Sequence, residues 1–322
     1  MTTPSPRLTH ELVRTACLAP SVNNTQPWSW RLPADDVVEL YADRDRQLVA
    51  ADPAGRDLVL SCGAALHHLL VAATAFGLNA EASWFPQPDE PDLLAVVRLS
   101  PGEVTDEGPE LLAALENRRT DRRGSSDWPV PAERLERMAR GASADVVRVV
   151  VLSDSADALR TEELIAAAHV RRRVDPVVAE EQDAWVERGG DDGVPSRVAV
   201  PPGVGGPNRP PSRYARREHP RDPREEHGDV LVAIGTVDDD AAAWLGAGSA
   251  LSALWLDATR GGMALTPSTE VVELDERRRL LRREVLHDAL HPQVVARIGW
   301  PAAAHAPAPT TPRRPLEDVI RD

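Results

Sequence analysis

Two stretches far apart in the chain match at more positions than chance allows, and this limits the fold more than any other feature. Residues 60–78 (LSCGAALHHLLVAATAFGL) set over residues 245–263 (LGAGSALSALWLDATRGGM) give eight identities in nineteen positions. Gly63 falls on Gly248, Leu66 on Leu251, Thr74 on Thr259 and Gly77 on Gly262. Chance in two Ala- and Leu-rich helices would give roughly two or three, so the match points to a duplicated unit. A weaker echo pairs Leu12-Val-Arg-Thr-Ala16 with Leu135-Glu-Arg-Met-Ala139. Beyond this echo the copies diverge: the first runs into a polar loop, the second passes through residues 140–145 into a strand pattern. A chain of 322 residues has room for two such units.

Periodicity predicts the elements around the repeat. A helix through Leu12, Val13, Ala16 and Cys17 stops before Pro20, because the residue ahead of a proline avoids helical geometry. Residues 28–32 and 37–41 alternate like paired strands. A helix over 55–77 closes on Gly77, which suits a left-handed cap, and 93–99 reads as a strand. In the second half, helices are expected from Pro109, over 132–140, over 162–187 with a break near Pro176, over 240–261 and over 275–286. Strands are expected over 146–152, 229–236 and 294–299, with 265–274 extended and a strand-like tail. Asp240 is expected to cap its helix. The division is 1–108 and 109–322. Within the second part, residues 189–228 are dense in Pro, Gly and Arg, including Arg209, Arg213, Arg216 and Arg217. A stretch of that length inside a compact domain reads as a lid or a disordered loop.

The formal charge of −14 argues against nucleic acid or an anionic membrane as partner. The longest uninterrupted apolar run, around Leu69, is short of the ~20 residues a membrane span needs. The N-terminus lacks the layout of a secretory signal, so the cytoplasm is the expected compartment. Cys17 and Cys62 form no disulfide framework, and no C-x-x-C pair suggests zinc. His67 and His68 are expected to point apart. His287 and His291 lack the glutamate of a metalloprotease helix, so no metal site is expected. All 37 basic residues are Arg, which excludes lysine nucleophiles and Schiff bases. No nucleophile–histidine–carboxylate series stands out.

Two strings could carry chemistry. Ala19-Pro-Ser-Val-Asn-Asn-Thr-Gln-Pro-Trp28 supplies uncharged donors and acceptors on a backbone stiffened by two prolines. It could face a heterocycle, or serve only as a rigid helix-to-strand connection. Asn117-Arg-Arg-Thr-Asp-Arg-Arg123 offers guanidinium forks and a hydroxyl, the donors that hold a phosphate, or else a solvated basic patch.

Together these strings resemble the nitroreductase-like FMN flavoproteins. Pro20-Ser-x-x-Asn-x-Gln-Pro-Trp28 is similar to that family's flavin loop, and Arg118-Arg-Thr-x-Arg122 to its phosphate motif Arg-Arg-Ser-x-Arg. In the family the strings come in the opposite order and meet at one FMN across two subunits. The order here matches the Acg-type subfamily, two such units fused in one chain. The resemblance implies an α+β fold of tandem nitroreductase-like units forming an internal pseudo-dimer, with one noncovalent FMN per chain. Pro20, Ser21, Asn23 and Gln26 would meet the flavin from one half. Arg118, Arg119, Thr120 and Arg122 would meet it from the other, with Arg122 nearest the pyrimidine edge. Thr266-Pro-Ser-Thr269 resembles the segment whose backbone N–H faces flavin N5, making Pro267, Ser268 and Thr269 candidates. Arg313 and Arg314 match the C-terminal basic pair near the phosphate. The acidic residue followed by Gly that this segment often carries is missing at Ser268–Thr269. No side chain is needed as catalytic residue, since the flavin carries the chemistry.

The resemblance implies an oxidoreductase that takes electrons from NADH or NADPH and passes them to a nitroaromatic or quinone-like small molecule. The alternative is an FMN-storing or sequestering protein with little turnover. A fused pair could act as a monomer or as a homodimer.

Overall fold

The computed structural model describes residues 4–122, 125–186, 188, 190–195, 228–301 and 308–321. Helix α1 (Pro6–Ala16) starts at Ser5, whose hydroxyl accepts the Leu8 N–H. After the polar loop, β1 (Trp28–Ala34) pairs antiparallel with β2 (Val37–Ala42) through a two-residue turn. Helix α2 (Arg56–Ala75), β3 (Leu78–Trp84) and β4 (Leu93–Pro101) come next, giving a sheet in the order β1-β2-β4-β3. Helix α3 (Gly108–Asn117) leads into the arginine string.

The second half runs α4 (Ala132–Ala142), β5 (Val147–Val151), α5 (Ser155–Arg173), α6 (Pro176–Ala184), β6 (Val230–Thr236) and α7 (Ala241–Arg260). It continues with β7 (Ala264–Pro267), α8 (Glu270–Glu273), α9 (Asp275–Glu284), β8 (His291–Gly299) and α10 (Leu316–Val319). Its sheet has the order β5-β6-β8-β7, which is the order of the first sheet. In each half one long helix, α2 or α7, joins the second strand to the third. The halves differ between their first two strands, where α5, α6 and the residues up to β6 replace the turn.

The repeat read from the sequence lies where α2 and α7 cross. A Cβ on Gly63 would fall on the Leu245 carbonyl oxygen, and one on Gly248 would fall on the Leu60 carbonyl oxygen. Leu60 and Leu245 are themselves aligned positions, so the contact is reciprocal, as in an isologous interface. Glycine is required because any side chain would push the backbones apart. Both helices end on a left-handed glycine, Gly77 at φ 72° and Gly262 at 74°. Asp240 caps α7 by accepting the Ala243 N–H, as expected. By length and composition α2 could cross a membrane, unlike the shorter run counted in the sequence, but 78% of its apolar window is buried inside the fold. The core continues through Trp28 and Trp30 in the first half and Trp255 in the second.

Several expectations need correction. Strand β3 is not expected from the sequence pattern because it is a half-exposed edge, with small apolar residues Ala80 and Ala82 between Asn79, Glu81 and Ser83. Residues 265–274 are extended only to Pro267, where the edge strand β7 ends; Glu270 then starts a helical turn. The tail forms the short α10 before Ile320 bridges in parallel to Trp30. His67 and His68 converge rather than diverge: their Nδ1 atoms lie 2.8 and 2.9 Å from Ser252 Oγ. Of the supposed lid, residues 190–195 and 228 are described; Arg209, Arg213, Arg216 and Arg217 lie outside the described residues.

Candidate functional site

Beside the helix crossing lies a cleft of about 1050 Å³, counted with its open mouth. Leu60, Ser61 and Ala64 of α2 and Leu251 and Trp255 of α7 line it. The 20–23 loop, Thr120 with Arg122, the segment 266–270, and Ile165, His169 and Arg297 complete it. The first loop holds an unusual shape: Asn23, Asn24 and Gln26 all have left-handed φ, near 50°. Asparagine enters this region more readily than most residues. Ser21 Oγ accepts the Gln26 N–H at 2.9 Å, and the Val22 N–H reaches Ser61 Oγ at 3.3 Å, which ties the loop to α2.

A second cavity of about 500 Å³ is lined by Leu18, Arg118, Arg119, Thr120, residues 309–311 and Arg313, with exposed Glu116 at its edge. Thr120 lines both spaces. Arg118 is buried, donates to the Leu18 carbonyl at 3.1 Å and lies 4.7 Å from the centre of the Trp255 ring. Arg313 donates to the carbonyls of Leu18 and Ala19 at 3.0 and 3.3 Å. Among the described residues neither guanidinium has a carboxylate partner, and the Nε of each is buried without a hydrogen bond. Burial, with Arg313 and Arg119 close by, holds the Arg118 guanidinium well below its ordinary range, and burial pushes Arg313 down to about 10. Arginine keeps its charge in proteins, so buried Arg118 and half-buried Arg313, like charges that line one cavity, favour an anion there. Arg297 is the contrasting case. Burial alone would lower it, but Glu162 forms a two-pronged pair with it and leaves it raised.

Of the residues singled out in the sequence, Pro20, Ser21, Asn23, Thr120, Arg122, Pro267, Ser268 and Thr269 meet in the cleft, while Arg118, Arg119 and Arg313 meet in the adjoining cavity. Gln26 and Arg314 line neither. The Arg314 N–H donates to Gln26 Oε1 at 2.9 Å and its guanidinium pairs with Asp43, so the two dock the tail onto the first half. The Ser268 N–H is donated to the Val295 carbonyl at 2.7 Å, which removes it as a donor to a ligand. Sequence reasoning missed Trp255, His169, Glu270 and Arg297. The change from Leu70 to Trp255 between the repeats was a visible signal, and Glu270 supplies an acidic side chain one residue beyond Thr269. His169 sits on α5, a helix without a counterpart in the first half, so the repeat offered no signal for it.

The fold and site define an α+β protein whose two like halves share one cleft, joined to an arginine-lined cavity. No family model matches the chain. It is 37% identical over 320 residues to a Mycobacterium tuberculosis protein named "Putative NAD(P)H nitroreductase Rv3131", covering 96% of this chain and 91% of that protein. It is 34% identical over 324 residues to the same organism's "Putative NAD(P)H nitroreductase acg", covering 96% and 93%. Among solved structures, the FMN-dependent nitroreductase NfnB from Mycobacterium smegmatis in complex with NADPH shares 18% identity at a TM-score of 0.45, covering 67% of this chain and 99% of that one. The chain belongs to the nitroreductase-like family that includes Acg.

Proposed function

We propose that the protein is an FMN-dependent oxidoreductase in which one FMN per chain lies across the cleft and its adjoining cavity. The observation that carries this reading is the pair of arginines, buried Arg118 and half-buried Arg313, which among the described residues have no carboxylate partner, next to a cleft lined from both halves of the chain. When bound, FMN would supply hydride and electron transfer between a reduced nicotinamide and a small nitroaromatic or quinone-like acceptor. Arg118, Arg119, Thr120 and Arg313 would hold the phosphate, each charged hydrogen bond contributing about 1.5–3 kcal/mol. Pro20, Ser21 and Asn23 would bear on the ring from the first unit, residues 1–108. Arg122, Pro267 and Thr269 would do so from the second, 109–322. Arg122 would place positive charge beside the pyrimidine edge, where reduction leaves negative charge. Because both units lie in one chain, the pseudo-dimer completes the site without a second subunit.

The visible spectrum of the purified protein tests this. Flavin bands with close to one FMN per chain, bleached by NADH or NADPH and restored by a quinone, are expected. Two flavins per chain would remove the shared-site arrangement. Turnover no faster than free FMN would leave a protein that holds FMN without using it.

A further inference from the structure

The 20–28 loop is held in a strained form by side chains that do not line the cleft. Asn23, Asn24 and Gln26 have φ of 50, 54 and 49°, a region that L-residues enter at a cost. Asn23 lines the cleft, whereas Asn24 and Gln26 are buried and line neither cavity. Their amides reach two segments distant in sequence. Asn24 Nδ2 donates to the Gly193 carbonyl at 2.9 Å and the Pro312 carbonyl at 3.1 Å, and Asn24 Oδ1 accepts from Arg313 at 3.2 Å. Gln26 Nε2 donates to the Asp191 carbonyl at 2.9 Å, and Gln26 Oε1 accepts the Arg314 N–H at 2.9 Å. Each side chain therefore bonds to both segments. The 191–193 side is anchored in turn: Asp192 pairs with Arg46 and Arg188, whose guanidiniums lie 5.4 and 4.1 Å from the centre of the Trp185 ring.

We propose that Asn24 and Gln26 are positioning residues: they clamp the strained loop to residues 191–193 and 312–314, and so keep Ser21 and Asn23 turned into the cleft. Without the clamp the loop relaxes to ordinary φ values, and the share of molecules with a ligand-ready loop falls, lowering affinity by that fraction. Affinity for the ring of a bound flavin then depends on segments that never line the cleft. The inference rests on the FMN reading above.

Flavin fluorescence titrations of the full chain test it, with FMN and with riboflavin, which lacks the phosphate. Asn24→Gly keeps a residue at ease in the left-handed region and deletes the amide contacts. Asn24→Asp keeps the size but sets an acceptor against the Gly193 and Pro312 carbonyls. Both are expected to bind riboflavin about tenfold more weakly while unfolding cooperatively. The carboxylate of the Asp variant also faces the Arg313 guanidinium, which holds it ionised, so recovery is expected only under strong acidification, when the carboxyl donates again. A role in stability alone would move the unfolding midpoint without that recovery. Riboflavin and FMN affinities within about twofold of wild type would overturn the proposal. If the Asn24 variants do not fold, Gly193→Ala decides the matter, since its φ of 71° and its approach to the Trp185 carbonyl bar a side chain. It displaces the far segment while leaving every residue of the loop unchanged, and unchanged affinity there overturns the clamp. Wild-type protein that binds neither flavin overturns the FMN reading itself, and the clamp with it.

Discussion

The two long helices make the same contact, yet the space beside each is used differently. On α2, Ser61 lines the cleft. Its counterpart on α7 is Gly246, and a Cβ there would meet Val147 and the Trp84 indole. Continuing the repeat register, Trp84 stands where the second half has Thr269, which lines the cleft. One side of the crossing opens into the cleft, and at the corresponding place on the other the partly exposed Trp84 indole lies beside Gly246. The loops diverge in the same sense: after α1 the chain takes the strained 20–28 path, whereas after α4 it turns almost at once into β5. The halves thus share a strand order and a helix crossing, and differ in what each carries at the edges of that crossing.

The strongest break of this comparison falls on Arg118, which the open side carries. Arg118→Met should weaken FMN binding by about 3 kcal/mol, since a buried phosphate would lose a charged donor. The ligand-free protein should unfold at an unchanged or higher midpoint, because a buried cation without a counter-charge gives way to an apolar chain of similar volume. A lower midpoint with unchanged FMN affinity would mean that Arg118 serves the fold and not an anion. Parallel fluorescence titration and thermal unfolding separate the outcomes.

A second test asks whether the crossing is as even as its contacts suggest. Gly63→Ala and Gly248→Ala each drive a methyl group into a backbone carbonyl of the other helix. Overpacking of this kind costs about 1–3 kcal/mol, and the two losses should match in denaturant unfolding. A large loss at one site and none at the other would show that the helices share residues without sharing a contact.

The repeat, the long helices and most of the strands were legible because helical periodicity and glycine caps are local properties of the chain. The arginine and flavin-loop strings were legible as strings, and the fold brings them to adjoining cavities. What could not be read was long-range. That Gln26 is spent on the tail depends on Asp191 and Arg314, far away in sequence. That Ser268 loses its N–H depends on the register of β7 against β8. Strand β3 hid because an edge strand needs little apolar surface, and the meeting of His67 with His68 depends on a hydroxyl of α7.

The smallest effect belongs to the helix ends, and it sharpens the comparison most finely. Gly77 and Gly262 hold nearly the same left-handed angle, so alanine at either should cost about 1 kcal/mol from backbone strain. Their surroundings differ: a Cβ at Gly262 meets nothing within 4 Å, whereas one at Gly77 meets a Val104 methyl. Val104 is 84% exposed, so its side chain can turn away into solvent. Gly77→Ala and Gly262→Ala should therefore agree within about 0.5 kcal/mol in chemical denaturation. A markedly larger loss at Gly77 would mean that the 102–107 connection holds Val104 in place, and that the helix end of the first half is tightly packed where that of the second is open.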